Sequence, residues 1–150
     1  MENLFNHQDC QALLRRIDLV SPVSERIWGK MEVNQMIIHI KDQLDIALGH
    51  IPAAAQGPFI YRTIWGRFLL LYVVPWPKGK ASTAREMDAE KKGLVVTDFE
   101  SDKHLLLTRL EEFTTATSFA AHPFFGSLNR KDWGRLGWKH INHHLLQFGI

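Results

Sequence analysis

At 150 residues and 17.3 kDa the chain is long enough to bury one sizeable core and too short for two comfortable ones, so a single domain spanning 1–150 is expected. Hydrophobic residues at 45% and charged residues at 23% exclude wholesale disorder and a fibrous class. Eighteen basic against sixteen acidic side chains leave +2, and the adjacent basic pairs, Arg15-Arg16, Lys91-Lys92 and Arg130-Lys131, are too scattered for the stripe that nucleic acid demands.

In chain order, the first amphipathic stretch starts at Asn6, a good helix cap, and carries Cys10, Leu13, Leu14 and Ile17 at spacings of three and four before the Ser21-Pro22 break. Cys10 is the lone cysteine and can form no internal disulfide, which fits a reducing compartment; its place on a helix predicts core rather than nucleophile. The start MENLFNHQDCQ lacks the charged lead, apolar run and cleavage site of a secretory signal, so the cytoplasm is the expected location. Trp28-Gly29 reads as a turn before a second helix over residues 32–48, with Val33, Met36, Ile40, Leu44 and Ala47 on one face and Gly49 as its stop.

Between 52 and 100, Pro52, Gly57-Pro58, Pro75, Pro77 and Gly79 interrupt the chain, and one helix is expected there, over 59–74. Its run FLLLYVVPW (68–76) falls short of the about 20 apolar residues that span a bilayer. Buried core is the commonest fate of such a run, with a dimer face or an interfacial patch as alternatives. Residues 78–92 alternate basic and acidic side chains, the pattern of a solvated loop. PKGKAST (77–83) imitates a phosphate loop, but Val74 stands where its first glycine belongs and Ala81 where Ser or Thr must follow the lysine, so no nucleotide site is expected. Ser101 is expected to cap a helix carrying Leu106, Leu110 and Phe113 and ending near Thr117. Asn129 should cap the last helix, with Asp132 placed to reach back to it. No stretch sustains two-residue alternation, so the chain should be all-α: four core helices with a long crossover between the second and the third.

Three of the eight histidines crowd HINHHLLQ (140–147). At about 100° per residue, Trp133, Gly137, His140, His144 and Gln147 fall within about 80° on the last helix, with Leu136 and Phe148 alongside. Lys131, Arg135, Trp138, Lys139 and Asn142 fall elsewhere and mark the solvent side. His140 and His144 therefore point inward, and His143 lies on the flank. A buried polar group left unpaired costs roughly 1–3 kcal/mol. An i, i+4 pair of histidines can present both nitrogens to a single divalent ion; a hydrogen-bonded core pair is the alternative. A third candidate ligand is His39 in MIIHIKDQ (36–43), with Gln35 and Gln43 one turn to either side; a boundary histidine paired with Asp42 or water is the alternative. Three imidazoles leave a fourth position open, as catalytic sites require.

These residues resemble the DinB/YfiT-like metalloenzyme superfamily, in which a histidine of the second helix and an H-x-x-x-H pair of the last bind one metal at the mouth of a four-helix bundle. The last motif there often reads H-x-x-H-H-x-G-Q, and His140, His143, His144 and Gln147 stand in that register with Leu146 in place of the glycine. WGKM (28–31), NQMIIHIKDQLDIALG (34–49), HPFFGSL (122–128) and WGRLGWKHINHHLLQFG (133–149) look like one branch of the superfamily, so the resemblance covers nearly the whole chain. It implies a divalent metal on His39, His140 and His144, zinc or nickel first, with manganese or iron as alternatives. His143, Gln147, Asp42 and Gln43 are then candidates to orient ligands or bind substrate, while His122 reads as a turn residue.

The activity implied is a metal-dependent hydrolase or a thiol-dependent transferase acting on a small molecule, with a low-molecular-weight thiol such as bacillithiol or mycothiol as co-substrate in the second case. A homodimer is the expected assembly, because the crossover helix offers an apolar surface. A reading from another class is a non-catalytic bundle that binds an apolar ligand or a protein partner through residues 59–76 and Phe124-Phe125.

Overall fold

The structure, a computed structural model, describes residues 1–78 and 98–150; the expectations for the charge-alternating loop and for PKGKAST fall mostly on 79–97, outside the described residues. Among the described residues five α-helices follow in order: α1 (His7–Asp18), α2 (Val33–Leu48), α3 (Ile64–Phe68), α4 (Phe99–Thr115) and α5 (Arg130–Gln147). A 3-10 turn (Phe59–Arg62) precedes α3, and a π-helical turn (Leu69–Val73) continues it. Among the described residues there is no strand, only one isolated antiparallel bridge between His122 and Gly126, so the chain is all-α there.

The caps show how the sequence starts and stops these helices. Asn6 accepts from the Asp9 N–H at 3.1 Å and opens α1. Gln35 Oε1 accepts from the Glu32 N–H at 2.9 Å and opens α2, which ends at left-handed Gly49 (φ +82°). Asn129 accepts from the Asp132 N–H at 2.8 Å and opens α5. The cap of α4 is Asp98, not Ser101. A carboxylate is acceptor-only, so Asp98 takes the Glu100 and Ser101 N–H groups, each at 3.3 Å, and the Ser101 hydroxyl at 2.6 Å as well. Ser101 is thereby drawn into the first turn. Nor does Asp132 reach back to its own cap: its carboxylate accepts from the Tyr72 hydroxyl at 2.5 Å and ties the π turn to α5.

Residues 59–74 do not form the single helix expected. Thr63 divides them, its hydroxyl donating back to the Ile60 carbonyl at 2.7 Å and accepting from the Gly66 N–H at 3.1 Å, so that it ends one turn and caps the next. Most apolar side chains of this segment are not core either, Leu71 being the exception. Only Gly66 and Leu71 are buried, while Phe59, Ile60, Ile64, Trp65, Phe68, Leu69 and Val73 are exposed. Cations supply the inward anchors instead. Arg62 donates to the Gln56 and Pro123 carbonyls at 2.7 and 3.2 Å, and Arg67 to the Ser127 carbonyl at 2.8 Å.

α2 packs along α4, and α5 packs against α1, α2 and the π turn. The inward residues read from periodicity, Leu13, Ile17, Met36, Ile40, Leu44, Leu106, Leu110, Phe113, Trp133 and Leu136, are buried together in one core. Asp45 pins α2 to α4, accepting from Arg109 Nε at 2.6 Å and from Lys41 Nζ at 2.7 Å. Burial alone would raise the pKa of this carboxyl, but the hydrogen bonds from Lys41, His50 and Arg109 hold it below the usual value. Among the described residues, no helix is long and apolar enough to cross a membrane.

Candidate metal centre

His39 comes from α2 and His140 and His144 from α5, so the packing of these two helices brings the three rings together in the interior. All three are buried. Nε2 of His140 lies 2.9 Å from Nε2 of His39 and 3.1 Å from Nε2 of His144, and one ligand atom from each residue falls within 4.8 Å of the others. Side chains from two helices thus aim nitrogens at one point.

Hydrogen bonding reveals which nitrogens hold lone pairs. His144 Nδ1 lies 3.0 Å from Gln147 Oε1, and an amide oxygen only accepts, so the His144 proton sits on Nδ1 and its Nε2 presents a lone pair to the cluster. His140 Nε2 then touches two neighbouring nitrogens. If it carries a proton, that one hydrogen must serve both contacts; if it does not, it faces the His144 lone pair directly at 3.1 Å. A cation at the convergence point satisfies all three nitrogens at once. Imidazole nitrogens at about 2.0–2.1 Å from a tetrahedral ion stand roughly 3.3 Å apart, a few tenths beyond the two contacts at His140 and inside the 4.8 Å span of the three as a set. The donor set therefore fits a divalent metal once the rings shift to equalise these separations.

Burial keeps two of the rings neutral. Burial, reinforced by the neighbouring imidazoles, holds His140 and His144 well below the usual histidine range, so near neutral pH they compete for a metal without first shedding a proton. His140 Nδ1 is buried without a hydrogen-bond partner among the described residues, as is Gln43 Oε1, one turn beyond His39. Asp42 is buried rather than solvated, and Lys41 Nζ lies 2.9 Å from its carboxylate.

His143, on the flank, contacts its neighbours through ring edges. It meets Trp28 at 4.8 Å between centroids, Trp76 at 5.7 Å and His144 at 5.3 Å. Trp76 also meets His140 edge-on at 6.0 Å. Lys139 holds Trp76 in place, and the helical wheel put this lysine on the solvent side. It is instead partly buried, donating to the Leu70 and Val74 carbonyls at 2.7 and 2.6 Å with its ammonium 5.5 Å from the Trp76 ring. Burial and then Arg135 push its pKa down to about 8. The wheel assumed one covered face, whereas the π turn covers a second one. His122 is a turn anchor as read: its Nδ1 accepts from the Phe124 and Phe125 N–H groups at 3.1 and 3.3 Å.

One contact beside the cluster carries no periodicity signal. Gly29 (φ +84°) lies so close to the Gln147 amide that a Cβ at position 29 would fall 2.3 Å from Gln147 Nε2. The Ile27 N–H also donates to the Gln147 carbonyl at 2.7 Å. The loop before α2 thus closes on the residue that orients His144.

The family described as "Protein of unknown function (DUF1569)" matches residues 5–149. Neither the curated proteins nor the solved structures include a match.

Proposed function

The chain belongs to the DUF1569 family, and we propose that it is a metal-dependent enzyme whose His39, His140 and His144 hold one divalent ion in a DinB-like bundle of α1, α2, α4 and α5. The observation that carries this reading is the meeting of three buried Nε2 atoms, with contacts of 2.9 and 3.1 Å that the available protons cannot satisfy well. The pairing of α2 with α4 and of α5 with α1 and α2 supports the bundle, and in this reading residues 59–73 belong to the connection between its second and third core helices.

An all-imidazole donor set favours zinc or nickel over manganese. When bound, such an ion supplies Lewis acidity to water, a thiol or a carbonyl group. The protein's own groups do the rest. Gln147 fixes the His144 tautomer, burial keeps His140 and His144 neutral, and Trp28, Trp76 and His143 form an aromatic wall beside the histidines. That wall suits a small molecule with an apolar portion, and hydrolysis and thiol-dependent transfer are the two reaction types to assay.

The test is elemental analysis of tag-free protein with His39→Ala, His140→Ala and His144→Ala, and with the exposed His104→Ala as control. About one metal per chain, lost in each of the three variants and kept in the control, is the expected result. A wild type that stays metal-free after incubation with zinc, nickel and manganese overturns the proposal and leaves the cluster a hydrogen-bonded core feature.

A further inference from the structure

The outward face of α3 and its π-helical continuation is apolar along its whole length. Ile64, Trp65, Phe68, Leu69 and Val73 fall on one side, and Phe59 and Ile60 of the preceding turn extend it. Exposure runs from 48% at Leu69 to 78% at Trp65. At about 150–250 Å² per large apolar side chain, the seven present roughly 800 Å² of apolar surface, against about 300–600 Å² for the largest patch on a typical monomer and about 800 Å² per partner in a standard interface.

We infer that this face is the two-fold interface of a homodimer, a second copy of the chain covering it with the same residues. The area matches what one partner contributes to a stable pair, and a stripe along a helix is self-complementary when two copies cross. A lipid surface, the competing occupant, is attracted by cations beside an apolar face. Here Arg62 and Arg67 turn inward onto backbone carbonyls and are spent. The interface is also joined to the histidine cluster. Arg135 Nε donates to the Leu71 carbonyl at 3.1 Å and Lys139 to those of Leu70 and Val74, and the same segment leads directly to Trp76 against His140 and His143. Dimerisation therefore fixes one wall of the candidate site, although the interface itself does not rest on the metal reading.

The test is sedimentation velocity of the full chain from low-micromolar to near-millimolar concentration, for the wild type, Trp65→Glu, Phe68→Glu and the control Val23→Glu, an exposed apolar residue outside this face. A wild-type and control dimer whose dissociation constant weakens by about a hundredfold or more in the two face variants, with unchanged circular dichroism, is expected. Trp65 is 78% exposed, and Phe68 stacks on Tyr72 at 5.8 Å, so Trp65→Glu carries the test if the circular dichroism of Phe68→Glu changes. A wild type that stays monomeric, or face variants that dimerise as the wild type does, overturns the inference. If that monomer co-sediments with phosphatidylcholine–phosphatidylglycerol vesicles, the face belongs to lipid and not to a second copy.

Discussion

Replacing Gly29 by alanine should weaken metal binding without touching a ligand. The new Cβ would lie 2.3 Å from Gln147 Nε2, and the cheapest relief is for the buried amide to swing away. That movement breaks the 3.0 Å hydrogen bond to His144 Nδ1 and frees the ring to turn or change tautomer. Losing such a buried partner costs about 1–3 kcal/mol, a factor of about 5–150 in affinity, and outer partners of metal-bound histidines are worth 10–100-fold. The backbone adds about 1–2 kcal/mol of folding cost, since alanine disfavours φ +84°. Zinc affinity measured by chelator competition should therefore fall roughly 10–100-fold in Gly29→Ala and by a similar factor in Gln147→Ala. In the double variant the clash is gone, so zinc affinity should be no weaker than in Gln147→Ala alone, leaving only the backbone cost in the urea midpoint. Additive losses in zinc affinity, or a Gly29→Ala protein that binds as the wild type does, would refute the coupling. Nitrogen-15 chemical shifts of His144 in the metal-free protein report the tautomer independently of any bound ion.

Two further outcomes follow from the same structure. Burial pushes the pKa of His122 down to about 3 from an ordinary 6.5, so the unfolded chain takes up a proton that the native chain refuses; stability is full above about pH 7 and declines as pH falls through 6.5 towards about 3. Between pH 7.5 and 5 that single group removes about 2 kcal/mol, and His140 and His144 shift in the same direction. Urea midpoints of chelator-treated protein should show this fall, and His122→Asn, which keeps an acceptor for the Phe124 and Phe125 N–H groups, should shed roughly one proton's share of the slope; equal slopes in the two proteins count against the assignment. Asp98→Ala should lower Tm by roughly 2–4 °C and Ser101→Ala by less, because the carboxylate receives three hydrogen bonds and the serine takes part in two of them; the reverse ranking by calorimetry would return the cap to Ser101.

The inward face of α5 was legible because one long helix with regular spacing carries Trp133, His140, His144 and Gln147, and periodicity is a local property of sequence. His39 was harder to read. It sits at the flank of the apolar stripe of α2, yet α4 and α5 both pack against that helix, so 12 of its 16 residues are buried. A single-stripe wheel underestimates such a helix. The outward turn of residues 64–73 could not be read from apolar content, because their inward anchors are arginines whose carbonyl acceptors at Pro123 and Ser127 lie far along the chain. Asp98 and Ser101 both suit a cap, and only the hydrogen bonds decide between them. The approach of Gly29 to Gln147 is a single contact between distant segments and leaves no repeat in the sequence.

Burying the three histidines costs the fold something and gives the site something by the same physics. Moving imidazoles out of water disfavours their charged forms, so His140 and His144 stay neutral where exposed histidines would begin to protonate. A neutral ring still has one proton to place, and in a dry interior each placement needs a partner. At His144 the Gln147 amide oxygen accepts a hydrogen bond from the Nδ1–H and leaves the Nε2 lone pair facing His39 and His140. No comparable partner meets His140 Nδ1 among the described residues, so its nitrogens are the least well satisfied of the cluster. An apolar replacement at position 140 should accordingly be tolerated by the fold better than a substitution at Gln147, which would leave His144 Nδ1–H unpaired. That ordering is what a site kept for ligand binding predicts, since a group held for stability would have its own hydrogen bonds in order.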